Sequence, residues 1–159
     1  MSRVPFQVLV FLRRLDANGP EYLVLKRADL SVWQGVAGGG EGDEPPREAA
    51  IRETMEEVGV SVTRLIDLES VAMVPVLDVV GCYRWGDDVL EIPEYAFCVD
   101  VDTSVVVRLS EEHAEYRWCS AREALDLLEW DSNRKALCVA EARMTIEAPV
   151  GELPEIAAD

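Results

Sequence analysis

Gly38-Gly-Gly-Glu-Gly-Asp-Glu-Pro-Pro-Arg-Glu-Ala-Ala-Ile-Arg-Glu-Thr-Met-Glu-Glu-Val-Gly-Val60 reads as a glycine-rich loop, a sharply started helix and a glycine stop. Pro45 and Pro46 suit a first helical turn, where a missing N–H costs nothing, and Asp43, Glu44 and Glu48 favour its positive end. Gly59 lies just past the periodic run, where helices stop. At about 100° per residue, Ala50, Ile51, Thr54, Met55 and Val58 fall on one arc, expected to pack on a core, while Glu53, Glu56 and Glu57 share another. Carboxylates three and four residues apart repel unless something neutralises them. A divalent cation would do so. Hard ions such as Mg²⁺ prefer carboxylate oxygens and bridge proteins to phosphates, so the stretch points to metal-assisted chemistry on a phosphate ester or anhydride. A solvated acidic face is the bland alternative, yet such helices interleave Lys and Arg, and here only Arg47 and Arg52 stand among the acids.

This stretch resembles the Nudix box, G-x5-E-x7-R-E-U-x-E-E-x-G-U, where U is a bulky apolar residue. Gly38, Glu44, Arg52, Glu53, Glu56, Glu57, Gly59 and Val60 occupy its fixed positions, and Thr54 stands at the first U. Its fixed positions span the whole run, so the signal is specific.

A chain of 159 residues with half of them hydrophobic fits one globular domain, expected over 1–148, with an acidic tail over 149–159 expected to fray. The net charge of −16 argues against polymeric nucleic acid and anionic membrane as partners, since both need a basic surface. Cys82, Cys98, Cys119 and Cys138 form no metal-like spacing and read as reduced core thiols of a cytoplasmic protein. The apolar run Val4 to Leu12 is too short to span a membrane and reads as a buried strand.

Taken in order, Phe6–Leu12 and Tyr22–Lys26 are expected strands joined through the turn signal Asn18-Gly19. After the acidic helix, Ser61–Leu68 and Val71–Val80 are expected strands, with Pro75 marking an edge or interruption. Gly81–Trp85 and Tyr95–Val101 form a further expected pair across the acidic loop 86–94. Tyr116–Cys119 is a short strand, Ser120 and Glu123 form a capping box for a helix over Ala121–Leu128, and a last helix runs from about Arg134 to Met144. Strands on either side of one central helix, with a helical C-terminus, indicate an α+β fold with helices on both faces of a mixed sheet. The Nudix resemblance implies the same α/β/α sandwich.

The resemblance also implies roles. Glu53, Glu56 and Glu57 correspond to Mg²⁺ ligands (Mn²⁺ could substitute), with the Gly38 carbonyl a further ligand. Arg52 would pair with Glu56 or Glu44, and Glu44 would act from behind the ligands. The reaction implied is hydrolysis of a diphosphate linkage, with Glu53 favoured as the base and Glu112 as rival base or extra ligand. Trp33-Gln-Gly-Val-Ala-Gly-Gly, Glu112-His-Ala-Glu-Tyr-Arg-Trp118 and Trp130-Asp-Ser-Asn-Arg-Lys-Ala-Leu137 resemble the bacterial dihydroneopterin triphosphate or dATP pyrophosphohydrolase branch. That branch implies a nucleoside or pterin triphosphate as the small-molecule substrate and pyrophosphate as a product; oxidised nucleotides and dinucleoside polyphosphates are the alternatives, and a nucleotide-sensing module is the reading from another class.

Other positions have two readings each. Trp33 either stacks on a ring or plugs the core beside the loop, and Arg27 either clamps a phosphate or pairs with an acid. His113 reads as a hydrogen-bonded structural residue, Tyr116, Trp118 and Trp130 as packing, and Ser132 with Asn133 as a cap for the last helix. The sequence leaves homodimerisation open.

Overall fold

The computed structural model describes residues 3–78 and 85–143. Its organising element is β1 (Arg3–Asp16), in which Val8 to Leu12 are all fully buried. Such a continuous apolar run belongs to a strand covered on both faces. Leu9 and Phe11 pack with Tyr22, Val24, Ala124 and Leu137 on one side, whereas Val8, Val10 and Leu12 pack with Leu23, Leu25, Ala50 and Val58 on the other.

β2 (Gly19–Arg27), β3 (Trp33–Gln34), β4 (Val36–Glu41), β5 (Leu65–Pro75), β6 (Glu91–Val101) and β7 (His113–Cys119) complete a seven-stranded sheet. Its main order is β3-β2-β1-β6-β5, with β4 on β1 and β7 on β2. β1 pairs in parallel with β6, whereas its pairs with β2 and β4 are antiparallel, so the sheet is mixed. The β1–β2 register sets Asp16 opposite Gly19, and the expected hairpin forms across Ala17-Asn18. Helix α1 (Pro46–Val58) covers one face, and α2 (Ala121–Leu127) with α3 (residues 131–143) covers the other. The fold is the expected α/β/α sandwich.

Local signals explain the helix ends. α1 starts on proline and stops at Gly59, whose left-handed backbone (φ 69°) brings its N–H to the Met55 carbonyl at 3.0 Å. α2 carries the full Ser120–Glu123 capping box.

The buried face of α1 differs from the expected one. Ala49, Ala50, Glu53, Thr54, Glu57 and Val58 are inside, while Ile51 and Met55 are exposed. Two adjacent rows of residues spaced by four, 50/54/58 and 49/53/57, face the sheet, and this rotation puts two glutamates inward at the cost of two apolar side chains. Thr54 fits the buried row because its hydroxyl donates to the Ala50 carbonyl at 2.7 Å.

In place of the two strands expected over Ser61–Leu68 and Val71–Val80, Leu65 to Pro75 form one strand, β5, with an irregularity between Asp67 and Ser70 and a positive φ at Glu69, while Val79 and Val80 lie outside the described residues. Pro75 ends it at the sheet edge, where a missing N–H is tolerated, and a 3₁₀ turn (Val76–Asp78) follows. β6 begins at Glu91 and so absorbs the end of the expected loop 86–94. Of the expected strand Gly81–Trp85, residues 81–84 lie outside the described residues, as do Cys82, Met144 and the tail 149–159. Cys98 and Cys119 are buried, but Cys138 is exposed on the outer side of α3, which corrects its reading as a core thiol. No helix among the described residues is long and apolar enough to cross a membrane.

Candidate active site

The glycine run of β4 lies against α1 because nothing projects from it. A Cβ on Gly38 would stand 2.1 Å from the Glu53 carboxyl carbon, so only glycine lets that side chain rest on the strand. Two backbone bonds from the segment before β7 bind the end of α1: Arg108 N–H to the Val58 carbonyl at 2.8 Å and Ser110 N–H to the Glu57 carbonyl at 3.0 Å. A third, from Ala28 N–H to the Glu112 carbonyl, fixes the start of β7 on the end of β2. These straps bring Glu112 and His113 to α1 across more than fifty residues of sequence.

Glu53, Glu57, Glu112 and Gly38 line a common cavity of about 160 Å³, with Arg3, Ala37, Gly39 and Glu41. Ligand atoms of Glu57, Glu112 and His113 lie within 4.8 Å of one another. Glu57 is 2 % exposed, and its Oε1 is 2.8 Å from His113 Nε2. Burial pushes the His113 imidazole down, towards its uncharged form, and Nε2 shares the hydrogen bond with Glu57 Oε1. Burial, reinforced by the charge of Glu57, pushes the Glu53 carboxyl up to about 8 against the pull of Arg52. Burial likewise pushes Glu57 up to about 8, with the charge of Glu112 acting the same way.

These shifts make stability depend on pH. A carboxyl whose folded pKa is raised contributes stability fully below its unfolded value, near 4.5, and that contribution is lost as pH rises to about 8. Metal-free protein is therefore expected to melt at a higher temperature at pH 5 than at pH 8, and added Mg²⁺ to raise the midpoint more at pH 8. Differential scanning fluorimetry at both pH values checks this, and an equal Mg²⁺ effect at the two would contradict it.

Arg52 organises the rest of the acidic face. Its Nε and Nη2 donate to the two oxygens of Glu44 at 2.9 and 3.0 Å, and Nη2 also donates to the Gly39 carbonyl. Its Nη1 donates to Glu53 Oε1 at 2.9 Å and Glu56 Oε2 at 3.1 Å. Arg52 holds the Glu44 carboxyl well below the usual carboxylate range. Glu56 is thus tied to Arg52 and does not line the cavity, unlike Glu53 and Glu57.

Arg27 and Trp33 line neither this cavity nor the larger one beside it. Of the two readings of Arg27, the geometry gives the acid pair: its guanidinium is bidentate on Asp29, at 3.0 and 2.6 Å. Trp33 packs against the α2/α3 core, with the Arg117 guanidinium 4.9 Å from its ring centre.

The larger cavity, about 350 Å³, adjoins the first at Ala37 and is walled by Gln7, Gln34, Glu94, Trp130 and Asn133 among others. None of these was a ligand residue in the sequence reading. Trp130, read as packing, lines the cavity and donates through Nε1 to Gln34 Oε1 at 3.0 Å. Asn133, read as a cap, sits inside α3 and accepts the Gly35 N–H at 2.9 Å, fixing the loop ahead of β4. Gln7 and Glu94 become neighbours through the parallel β1–β6 register, which no local pattern announces.

Comparison with known proteins agrees with this geometry. The NUDIX domain pattern matches residues 5–139. The chain is 30% identical over 135 residues to the dihydroneopterin triphosphate diphosphatase of Haemophilus influenzae, covering 82% of this chain and 83% of that one. It is also 30% identical over 135 residues to the asymmetrical bis(5'-nucleosyl)-tetraphosphatase of Rattus norvegicus, covering 82% and 87%. The structure of the Escherichia coli dihydroneopterin triphosphate pyrophosphohydrolase superposes with a TM-score of 0.74 at 29% identity, covering 86% of this chain and 94% of that one. The glycine strand, the buried glutamate pair and the arginine-braced acidic helix all fall within that matched stretch, and this chain belongs to the Nudix family of pyrophosphohydrolases.

Proposed function

We propose that the chain is a Mg²⁺-dependent pyrophosphohydrolase of a nucleoside or pterin triphosphate, releasing pyrophosphate and a monophosphate. The observation that carries this reading is the buried Glu53–Glu57 pair beside Glu112, an oxygen donor set whose charges a divalent cation would compensate. Carboxylate oxygens with a backbone carbonyl suit Mg²⁺, or Mn²⁺ in its place, so the residues present fit the ion. Glu53, Glu57, Glu112 and the Gly38 carbonyl would hold it; Glu56 would join them by leaving Arg52. When bound, the metal neutralises charge on the diphosphate and lowers the pKa of the attacking water.

The chain's own residues supply the rest. Glu53, whose Oε1 accepts from Arg52 and whose carboxyl shares a hydrogen bond with Glu57, is the favoured acceptor for the proton of the attacking water. His113 orients Glu57 through the hydrogen bond at its Nε2, in the manner of an outer residue that fixes a ligand. Glu112, exposed at the cavity edge, is the other carboxylate placed to take a proton or hold the metal. Glu112→Ala is expected to lower kcat by about 10–100-fold with a smaller change in KM. A change confined to KM in steady-state kinetics would remove Glu112 from both roles.

The reaction itself is tested by measuring pyrophosphate and phosphate release from dATP, dGTP, dihydroneopterin triphosphate, an oxidised dGTP and diadenosine tetraphosphate, with and without Mg²⁺. Metal-dependent pyrophosphate release from a triphosphate is expected. Preferential cleavage of the dinucleotide would favour the tetraphosphatase reading that the rat relative raises, and binding without turnover would favour a sensor.

A further inference from the structure

The larger cavity holds an unused set of hydrogen-bond acceptors. Gln7 Nε2 donates to Glu94 Oε2 at 2.5 Å, which leaves Gln7 Oε1 buried with no partner among the described residues. Glu94 is 3 % exposed and Gln7 7 %, so both are drawn almost wholly out of water. The Ser132 hydroxyl is the other hydrogen-bond partner of the Glu94 carboxyl. A carboxylate offers about four lone-pair sites, so acceptor capacity remains on both side chains facing the cavity. Gln34 and Asn133, by contrast, spend their carbonyl oxygens on Trp130 and the Gly35 backbone. Trp130, Met73, Val74 and Pro75 add the apolar surface that a flat heterocycle would cover.

We propose that the Gln7–Glu94 pair reads the heterocycle of the substrate and selects a 2-amino-4-oxopyrimidine edge, the adjacent ring N–H and exocyclic NH₂ that guanine and pterin share. This deepens the proposed function and rests on it for the placing of the triphosphate, which would run from this cavity past Ala37 to the glutamates. An edge with two neighbouring donors matches a carboxylate bidentately. Adenine and cytosine each present one donor beside one acceptor, and the acceptor would face the carboxylate. Thymine sets its single N–H between two carbonyls. Burial pushes the Glu94 carboxyl up, and a pair of N–H donors is what would restore its charged form inside the cavity.

The test separates recognition from hydrolysis by using monophosphates, which the protein need not cleave. Calorimetric titration of the wild-type protein compares dGMP, dIMP, dAMP and dihydroneopterin monophosphate. dIMP differs from dGMP only by the 2-amino group, and loss of a hydrogen bond to a charged group costs about tenfold or more in affinity. The expected order places dGMP or the pterin first, dIMP about tenfold weaker than dGMP, and dAMP weaker still. The stronger of the first two tells which source of the shared edge the cavity fits. Glu94→Gln, with folding checked by its melting temperature, is expected to bring the dGMP and dAMP affinities together. Equal binding of dGMP and dIMP, or tighter binding of dAMP, overturns the proposal even if Glu94→Gln fails to fold. Absence of metal-dependent pyrophosphate release alongside the expected binding order would instead count against the proposed reaction alone.

Discussion

Glu57→Gln is expected to fold normally and to lose at least about a hundredfold in kcat/KM. The side chain is 2 % exposed, and the amide is nearly the same shape as the carboxyl, so packing hardly changes. The Gln amide can either accept from or donate to His113 Nε2, which keeps the β7 end in place. What disappears is the negative charge the carboxyl can take up beside a cation, and with it the strongest candidate for a metal ligand. Groups that merely orient a ligand cost about 10–100-fold when removed, so a ligand itself should cost no less. Folding should be unharmed or improved at pH 8, where the wild-type carboxyl is held against its preference for the neutral form. Pyrophosphate release over a Mg²⁺ series, with thermal melts of both proteins, checks the two halves together. Near-normal turnover by a folded variant would remove Glu57 from the metal site.

Gly38→Ala is the second large effect, and it acts through a neighbour. The added methyl would lie 2.1 Å from the Glu53 carboxyl carbon and 2.4 Å from each carboxyl oxygen. Gly38 is not among the positive-φ glycines, so the backbone tolerates alanine and the damage falls on Glu53, which must leave the strand. Displacing a catalytic group by an ångström or more costs about a hundredfold, and that is the expected fall in kcat. Stability should change much less, because Glu53 has the cavity to move into. An unaltered kcat would mean that Glu53 neither binds the metal nor takes the proton.

Much of this architecture was legible in the sequence because its signals are local. Pro45-Pro46, Gly59, the Ser120–Glu123 box and the Asn18-Gly19 turn each act over a few residues, and each sits where its chemistry requires. Periodicity gave the existence of α1 but not its rotation. Ile51 and Met55 look like core residues in a helical projection, but the bare backbone at Gly38 makes room for Glu53 and His113 meets Glu57, so these two take the inward row instead. Arg27 and Trp33 show the same limit from the other side. Both residue types suit ligands, yet Asp29 lies two residues from Arg27 and the α2/α3 core lies under Trp33. Gln7 and Glu94 stand 87 residues apart in sequence, and their meeting depends on a parallel register set by the whole sheet. Long-range register of that kind leaves no mark in a window of residues.

Of the described residues lining the two cavities, Ala37 is common to both. The acidic cavity is built mainly from α1 and the glycine strand, whereas the larger one takes its acceptors from β1 and β6 and its aromatic wall from Trp130, just ahead of α3. Such a division lets natural variation retune one half while leaving the other intact. On the proposed reading, exchanging Glu94 on β6 alters the preferred ring while the glutamates of α1 keep their places, so the choice of ring and the cutting of the phosphate chain are carried by separate parts of one scaffold.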